Sequence, residues 1–193
     1  WYFLDSSLPA SSGNYNIVAT FSSSPGDQVI GATSFTGVKQ AAPVASANTT
    51  CTNCSSISQS LTTTVDNSLV VDVANSGNSG SFTATNGMTK AWEQEDPVSS
   101  SSDNAGGYKI VSTAGSATGG YTMSPSANRA AYIIAAFSPA PGSATGPTSV
   151  NSKIHQALDY DGTEEYMSVG NGGSGVKTVS FWMNGADVTS EEV

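Results

Sequence analysis

Hydrophobic and polar residues alternate along most of the chain with the two-residue period of β-strands, and no segment shows the 3.6-residue period of an amphipathic helix. The most apolar run is 128–137, which is rich in aromatic and β-branched residues and is followed by Pro139 and Pro141. Both alternating faces of this run are apolar, as is typical of a strand covered on both sides. A buried helix is the competing interpretation, but the short run and the prolines favour a strand. We therefore predict that 128–137 is the central strand of a sheet.

The rest of the pattern predicts about nine or ten short strands that are joined by turns. Asp66-Asn67 is one such turn by its composition. Segments 37–54 and 95–107 are predicted to be polar loops, and 108–111 and 121–123 are predicted to be short strands. Many short strands with regular turn signals indicate an all-β protein with an antiparallel β-sandwich, of immunoglobulin-like or jelly-roll-like type.

The pattern also predicts a division of the chain. Residues 1–138 form the sandwich, and the Pro-, Gly- and Ser-rich segment 139–152 is predicted to be a linker. Three strands are predicted in 153–193, which are too few for an independent domain. We expect them to be the start of a second, partial β domain or strands that dock onto the first. Trp1 begins in what the pattern indicates is the middle of a strand, so we expect a longer precursor.

Composition and charge argue against several classes of protein, namely disordered, nucleic-acid-binding and membrane-spanning ones. Charged residues make up 11% of the chain, against about 25% in average soluble proteins. Ser, Thr and Gly suit sheet faces and turns, while the 37% of hydrophobic residues argues against disorder. A net charge of −9 with six scattered basic residues disfavours nucleic acid as a partner. No apolar run is long enough to predict a membrane span.

The two cysteines, Cys51 and Cys54, form a Cys-x-x-Cys pair. Zinc needs about four ligands, and only the distant His155 could join them. A thioredoxin-like role needs a βαβ unit, which the pattern does not predict. We favour a small disulfide that clips an exposed loop, with two free thiols as the alternative. A disulfide indicates an oxidising compartment, so we expect an extracellular, cell-surface or virion-surface location.

Carboxylates and aromatic side chains are the remaining candidates for binding chemistry. We favour a solvated acidic loop over a calcium site or a glycosidase pair for Glu93, Glu95, Asp96 and Asp103. Calcium is a weak candidate at Asp159, Asp161 and Glu165, which lack the twelve-residue loop spacing and are better explained by a turn. Core packing is favoured over sugar stacking for Trp1, Tyr2, Trp92, Tyr108, Tyr121 and Trp182. No nucleophile–base pair is evident, so we predict that the chain is not an enzyme and has no catalytic residues.

The C-terminal segment resembles the opening of a laminin-G or concanavalin-A-like domain. The residues that carry the resemblance are Gln156-Ala157-Leu158-Asp159-Tyr160-Asp161-Gly162, Glu165-Tyr166-Met167-Ser168-Val169 and Val179-Ser180-Phe181-Trp182-Met183. The resemblance implies a jelly-roll sandwich that binds glycans or protein partners, sometimes with calcium. The family's usual binding loops would follow Val193, so no binding residue is carried over.

Residues 1–138 resemble a β-sandwich module of bacterial and phage-associated surface proteins. The features that carry this resemblance are Trp1-Tyr2-Phe3-Leu4, Ser34-Phe35-Thr36-Gly37-Val38 with Pro43, Leu69-Val70-Val71-Asp72-Val73 and the final Ala- and Ile-rich strand. In that module two or three strands precede the Trp-Tyr position. Their absence here predicts an unpaired edge at Trp1, Tyr2, Phe3 and Leu4. We expect a strand from 157–183 or from a neighbouring subunit to pair there by strand addition.

Three functions are consistent with these features. The first is a non-enzymatic extracellular structural or adhesive module, in a cell-surface protein or filament, that presents or assembles surfaces. The second is a virion component such as a capsid decoration or tail fibre. The third is a carbohydrate-binding module of a secreted hydrolase. The expected partners are therefore further subunits, with glycans as an alternative.

Overall fold

The structure, a computed structural model, describes residues 1–9, 15–18, 28–78, 80–95, 102–141, 148–149, 167–169 and 178–185. Its strands are β1 (Tyr2–Leu4), β2 (Tyr15–Ile17), β3 (Gln28–Thr36), β4 (Ala45–Thr62), β5 (Ser68–Ser76), β6 (Ser81–Thr85), β7 (Thr89–Glu95), β8 (Asp103–Val111), β9 (Ser116–Phe137), β10 (Thr148–Ser149), β11 (Met167–Val169) and β12 (Thr178–Gly185). A 3₁₀ turn, Asp5–Ser7, follows β1. The predicted all-β, sandwich-like fold is confirmed. In the described residues there is no helix with the length and apolar character needed to cross a bilayer.

The prediction of a central strand at 128–137 is also confirmed, because these residues form the C-terminal half of β9 between β4 and β5. The face that carries Tyr132 and Ile134 is fully buried. On the other face Phe137 is buried, but Ile133 is only partly covered and Ala131 is exposed. From Ala130 onward one face is therefore core, and the other is covered only at the end that carries Phe137.

The six-stranded sheet folds over on itself because β9 changes its partner half-way. Its first half pairs with β6 and its second half with β5, while β4 follows it on the other side with a register shift after Cys54. In a straight strand Tyr121 and Tyr132 would lie about 36 Å apart. Their ring centroids are 6.2 Å apart, so the two halves of β9 face each other across the core.

The main core fills the space between these two halves. Side chains of β4, β5, β6, β8 and β9 contribute to it, among them Ile57, Leu61, Val70, Phe82, Tyr121, Tyr132 and Ile134. Phe82 packs edge-on against Tyr121 at a centroid distance of 5.5 Å. Burying such aromatic side chains stabilises the fold by about 1.5–3 kcal/mol each.

A second sheet covers part of the outer face of the first. Its strand order is β1-β12-β3-β10, and Phe35 and Val38 pack on Leu69, Val71 and Phe137 of the first sheet. Phe35 also packs edge-on against Tyr108 at a centroid distance of 5.3 Å. The structure thus has a folded sheet with an additional layer on one side.

Strands from the C-terminal region pair with strands from the N-terminal region. β12 lies between β1 and β3, with Tyr2 in register with Ser180 and Phe35 with Thr178. β11 pairs with β2, and β10 pairs with the end of β3. The proposed division into 1–138, 139–152 and 153–193, and the laminin-G-like resemblance, remain predictions.

Two loop predictions are wrong. Most of the segment 37–54 belongs to β4, an 18-residue strand, and the cysteines lie within that strand. Residues 103–107, predicted as part of a polar loop, form the first half of β8. The two short strands expected at 108–111 and 121–123 are parts of β8 and β9. β4 accommodates polar residues because it lies at a sheet edge, and in β8 the buried Asn104 meets Asn75 of β5.

Candidate functional site

A groove lies on the outer face of the folded sheet, where the second sheet leaves it uncovered. We call it the outer-face groove, and its volume is about 270 Å³. Residues that lie opposite each other on neighbouring strands form the floor of the groove, in two rows that run across the sheet. The first row, from β4 to β7, is Asn48, Ile133, Val73, Gly106 and Trp92. The second row is Thr50, Ala131, Asn75 and Asn104.

Small residues create the depression and hold the indole of Trp92 at one end of it. Trp92 is half-buried and lies against Gly106 of β8 and Gly31 of β3, so closely that a Cβ on either glycine would overlap the indole ring. Val29 of β3 completes this wall. Trp92 therefore joins the two sheets and borders the outer-face groove.

Asn75 and Asn104 form a pair of amides on the groove floor. The Asn75 Nδ2 donates to Asn104 Oδ1 at 2.9 Å. Asn104 is 3% exposed, and its own Nδ2 has no hydrogen-bond partner among the described residues. A buried amide donor without a partner costs about 1–3 kcal/mol, so this donor needs an oxygen that the described residues do not supply.

On the opposite face of the same strands, Asp72 is buried in the main core. Its carboxylate accepts hydrogen bonds from Tyr121 Oη at 2.8 Å and from Tyr132 Oη at 2.6 Å. Gly107 and Gly119 leave room for these groups. A Cβ on Gly107 would lie 2.6 Å from Tyr121 Oη, and one on Gly119 would overlap Tyr132 Oη.

Burial raises the pKa of Asp72 to about 6, against the opposing effect of the two tyrosine hydrogen bonds and the Gly107 amide. Burial and the neighbouring Asp72 raise the pKa values of Tyr121 and Tyr132 well above the ordinary range. Both tyrosines therefore remain protonated donors at physiological pH. The Asp72 cluster stabilises the packing of the two halves of β9 and is separate from the outer-face groove.

The acidic residues of β7 and β8 do not form the predicted solvated loop. Asp103 is 1% exposed, and neither of its carboxylate oxygens has a hydrogen-bond partner among the described residues. It is in register with Glu95 and lies near Glu93, whose carboxylate accepts from Phe82 N at 2.6 Å and pairs with Lys90. Burial and repulsion from Glu93 raise the pKa of Asp103 to about 7. Asp96 lies outside the described residues.

The remaining predicted site residues fall in different parts of the structure. Cys51 and Cys54 form a disulfide with their Cα atoms 6.1 Å apart. Trp1, Tyr2, Phe3 and Leu4 lie on or beside β1, which pairs on one side with β12, at residues 178–180 of the expected 157–183 segment, and is an end strand of the second sheet. The weak calcium candidates Asp159, Asp161 and Glu165, and also His155, lie outside the described residues. Of the aromatic candidates, Tyr121 is core and Tyr108 packs on Phe35, so packing is confirmed for both.

Sequence reasoning missed the Asp72 cluster and the outer-face groove. Asp72 had one usable signal, since it is a charged residue inside the apolar strand 69–73. Asn75 and Asn104 had none, because they are 29 residues apart and meet only through strand register. Comparisons of the chain with protein-family models, with curated proteins and with solved structures find no match.

Proposed function

We propose that this chain is a non-enzymatic extracellular structural or adhesive module that assembles by strand addition at β1, with a second copy of the chain as its partner. The observation that carries the proposal is that this strand forms an edge of its sheet in the described part of the chain and carries exposed aromatic side chains. β1 is the terminal strand of its sheet in the described part of the chain, and Trp1 beside it is 71% exposed. Tyr2 and Phe3 are 39% and 37% exposed.

The edge of the six-stranded sheet offers a contrast. β4 forms that edge, and its exposed residues are mostly Ser, Thr and Asn. It is interrupted by a register shift after Cys54 and by Asn53 in the left-handed region, with φ 52°. Bulges and polar side chains of this kind protect sheet edges from pairing with other chains. Of these two edges, β1 is therefore the one suited to accept a strand.

Two further features support the assignment. Exposed aromatic side chains, above all Trp, contribute strongly to protein–protein interfaces. The Cys51–Cys54 disulfide suits an oxidising, extracellular environment. Strand addition at β1 would serve a filament, a virion or a subunit layer on a cell surface, because each of these assemblies repeats the same contact between identical subunits.

The experiment compares self-association of the wild-type chain with two variants by sedimentation velocity over micromolar to millimolar concentrations. Trp1→Lys places a charge at the β1 edge. Val65→Lys is the matched control, because it puts the same charge on another exposed apolar residue, 42% exposed, at the start of the β4–β5 turn. We expect Trp1→Lys to weaken self-association at least about tenfold, as for loss of an interface Trp, and Val65→Lys to leave it unchanged. A wild-type chain that remains monomeric, or equal behaviour of the two variants, would contradict the proposal.

A further inference from the structure

We propose that the outer-face groove binds a neutral saccharide, with the Asn104 amide as the central hydrogen-bond donor. This site is on the folded sheet and shares no residue with the β1 edge. The inference therefore does not depend on self-association, and either could hold without the other.

The chemistry of the groove lining selects a neutral, polyhydroxylated ligand. Its hydrogen-bonding side chains are uncharged: the amides of Asn48, Asn75 and Asn104 and the hydroxyl of Thr50. Tyr132 also borders the groove, but its hydroxyl is bonded to Asp72 on the other face of the sheet. Amides and hydroxyls both donate and accept, so they match sugar hydroxyl groups, which do the same.

Apolar side chains in the same groove match the other surface of a sugar ring. Val73 and Ile133 lie in the middle of the first row, and the indole of Trp92 closes the end at β7. A pyranose ring presents C–H groups on its faces and hydroxyls around its rim. The first row is mainly apolar, with Asn48 at its β4 end, and the second row carries Thr50, Asn75 and Asn104, so the groove provides both kinds of contact side by side.

The unpartnered Nδ2 of Asn104 indicates where the ligand bonds. Asn104 Oδ1 is fixed by the hydrogen bond from Asn75, so the orientation of the amide is set before any ligand binds. Its Nδ2 is the one buried side-chain nitrogen without a partner in the described part of the chain. A ligand oxygen at the groove floor would supply that partner, and a donor whose orientation is already set binds at a lower entropic cost.

The dimensions fit a small saccharide. The first row spans four inter-strand spacings of about 4.8 Å, or roughly 19 Å from β4 to β7. The volume of about 270 Å³ is just below that of typical small-ligand pockets, about 300–1,000 Å³. We therefore expect mono- or disaccharides rather than long chains buried along their length.

The test titrates the ¹⁵N-labelled chain with glucose, N-acetylglucosamine, cellobiose and maltose and follows the side-chain amide signals by NMR. N-acetylneuraminic acid serves as a charged sugar for comparison. We expect at least one neutral sugar to shift the Asn104 and Asn75 side-chain signals.

Thr50→Ala should weaken that binding about fivefold, as expected for one lost hydrogen bond. Ser46→Ala is the matched control: it is an exposed hydroxyl residue of β4 outside the groove, and its removal should leave binding unchanged.

Both substituted residues are exposed, and circular dichroism will verify that the variants fold. The inference is overturned if no neutral sugar binds at millimolar concentration. It is also overturned if the sugar shifts signals elsewhere and not at Asn104, if Thr50→Ala and Ser46→Ala bind equally, or if only the charged sugar binds.

Discussion

At the scale of single residues, the structure depends on a buried carboxylate whose hydrogen-bond partners come from distant parts of the chain. Asp72 lies 49 residues from Tyr121 and 60 from Tyr132. An ionised carboxylate in an apolar core is costly unless donors surround it. The two tyrosines and the room left by Gly107 and Gly119 provide that environment, and they tie both halves of β9 to β5.

The Tyr132→Phe variant tests this role. It removes one donor and leaves Asp72 Oδ2 without that hydrogen bond, so the pKa of Asp72 should rise further above about 6. We expect a loss of roughly 1.5–3 kcal/mol in the free energy of unfolding at pH 8, measured by urea denaturation. The loss should be smaller at pH 5, where Asp72 becomes largely protonated.

The control is Tyr2→Phe, at a partly exposed tyrosine, which should change stability by less than about 0.5 kcal/mol. Equal losses for Tyr132→Phe at both pH values would show that the carboxylate is not the partner affected.

At the scale of elements, β4 shows how a polar sequence can form a long strand. Its inner face carries Ala45, Ala47, Ile57 and Leu61 against the main core, and its other face is exposed. The disulfide lies where β4 shifts register and where β9 changes its partner from β6 to β5. The disulfide is thus placed to hold the bend of an edge strand. Between the two cysteines, Asn53 takes the left-handed backbone conformation, which Asn tolerates.

The double variant Cys51→Ser/Cys54→Ser should therefore lower stability only modestly. The closed loop holds four residues, so the chain-entropy model gives roughly 2 kcal/mol. We expect a lower urea midpoint with an unchanged slope, and the wild-type chain in reductant should match the variant. Addition of reductant to the variant itself is the control and should have no effect. An unchanged midpoint in the variant would mean that β4 holds this bend without the covalent link.

At the scale of the whole molecule, two side chains of β7 bond to the backbone of β6 and so connect the two ends of the folded sheet, beside the buried carboxyl of Asp103. Glu93 of β7 accepts from the Phe82 amide of β6, and Lys90 donates to the Phe82 carbonyl at 2.7 Å. Asp103 of β8 is buried near Glu93, in a protein that already carries a net charge of −9. Ionisation of Asp103 places a second negative charge where the sheet closes.

The pH dependence of global stability follows from the raised pKa values of Asp103 and Asp72. A carboxyl whose pKa is higher in the folded state binds a proton more tightly there than in the unfolded chain. Its stabilising contribution is complete below about pH 4 and is lost as the pH rises through about 7 for Asp103 and about 6 for Asp72. We expect Asp103→Asn to gain roughly 1–3 kcal/mol over wild type at pH 8 and little at pH 5.

The measurement is thermal or urea unfolding of wild type and variant at both pH values. Asp66→Asn is the matched control, because it removes the same charge at an exposed turn and keeps the oxygen that accepts from Ala114 N at 2.7 Å. Its difference from wild type should be the same at pH 5 and pH 8. An Asp103→Asn variant that is less stable than wild type at pH 8 would contradict the assigned direction of the pKa shift.

The sequence by itself determined the fold class and the central strand. The two-residue hydrophobic period is a local property that burial of one strand face imposes. The run 128–137 is apolar on both faces, and its short length and the prolines after it favoured a strand over a helix. The same period could not identify the strand character of 45–54, because an edge strand with polar residues on its exposed face has the composition of a loop. The disulfide was also predicted, although its position in a strand was not.

Only the tertiary structure decided which strands pair and therefore which polar residues meet. The register between β5 and β8 brings Asn75 to Asn104, and the folding of β9 brings two tyrosines to Asp72. Neither arrangement has a local sequence signal, since each residue's own neighbours are compatible with many partners. Strand register and sheet curvature arise from the packing of the whole core, and they determine where the outer-face groove and the Asp72 cluster form.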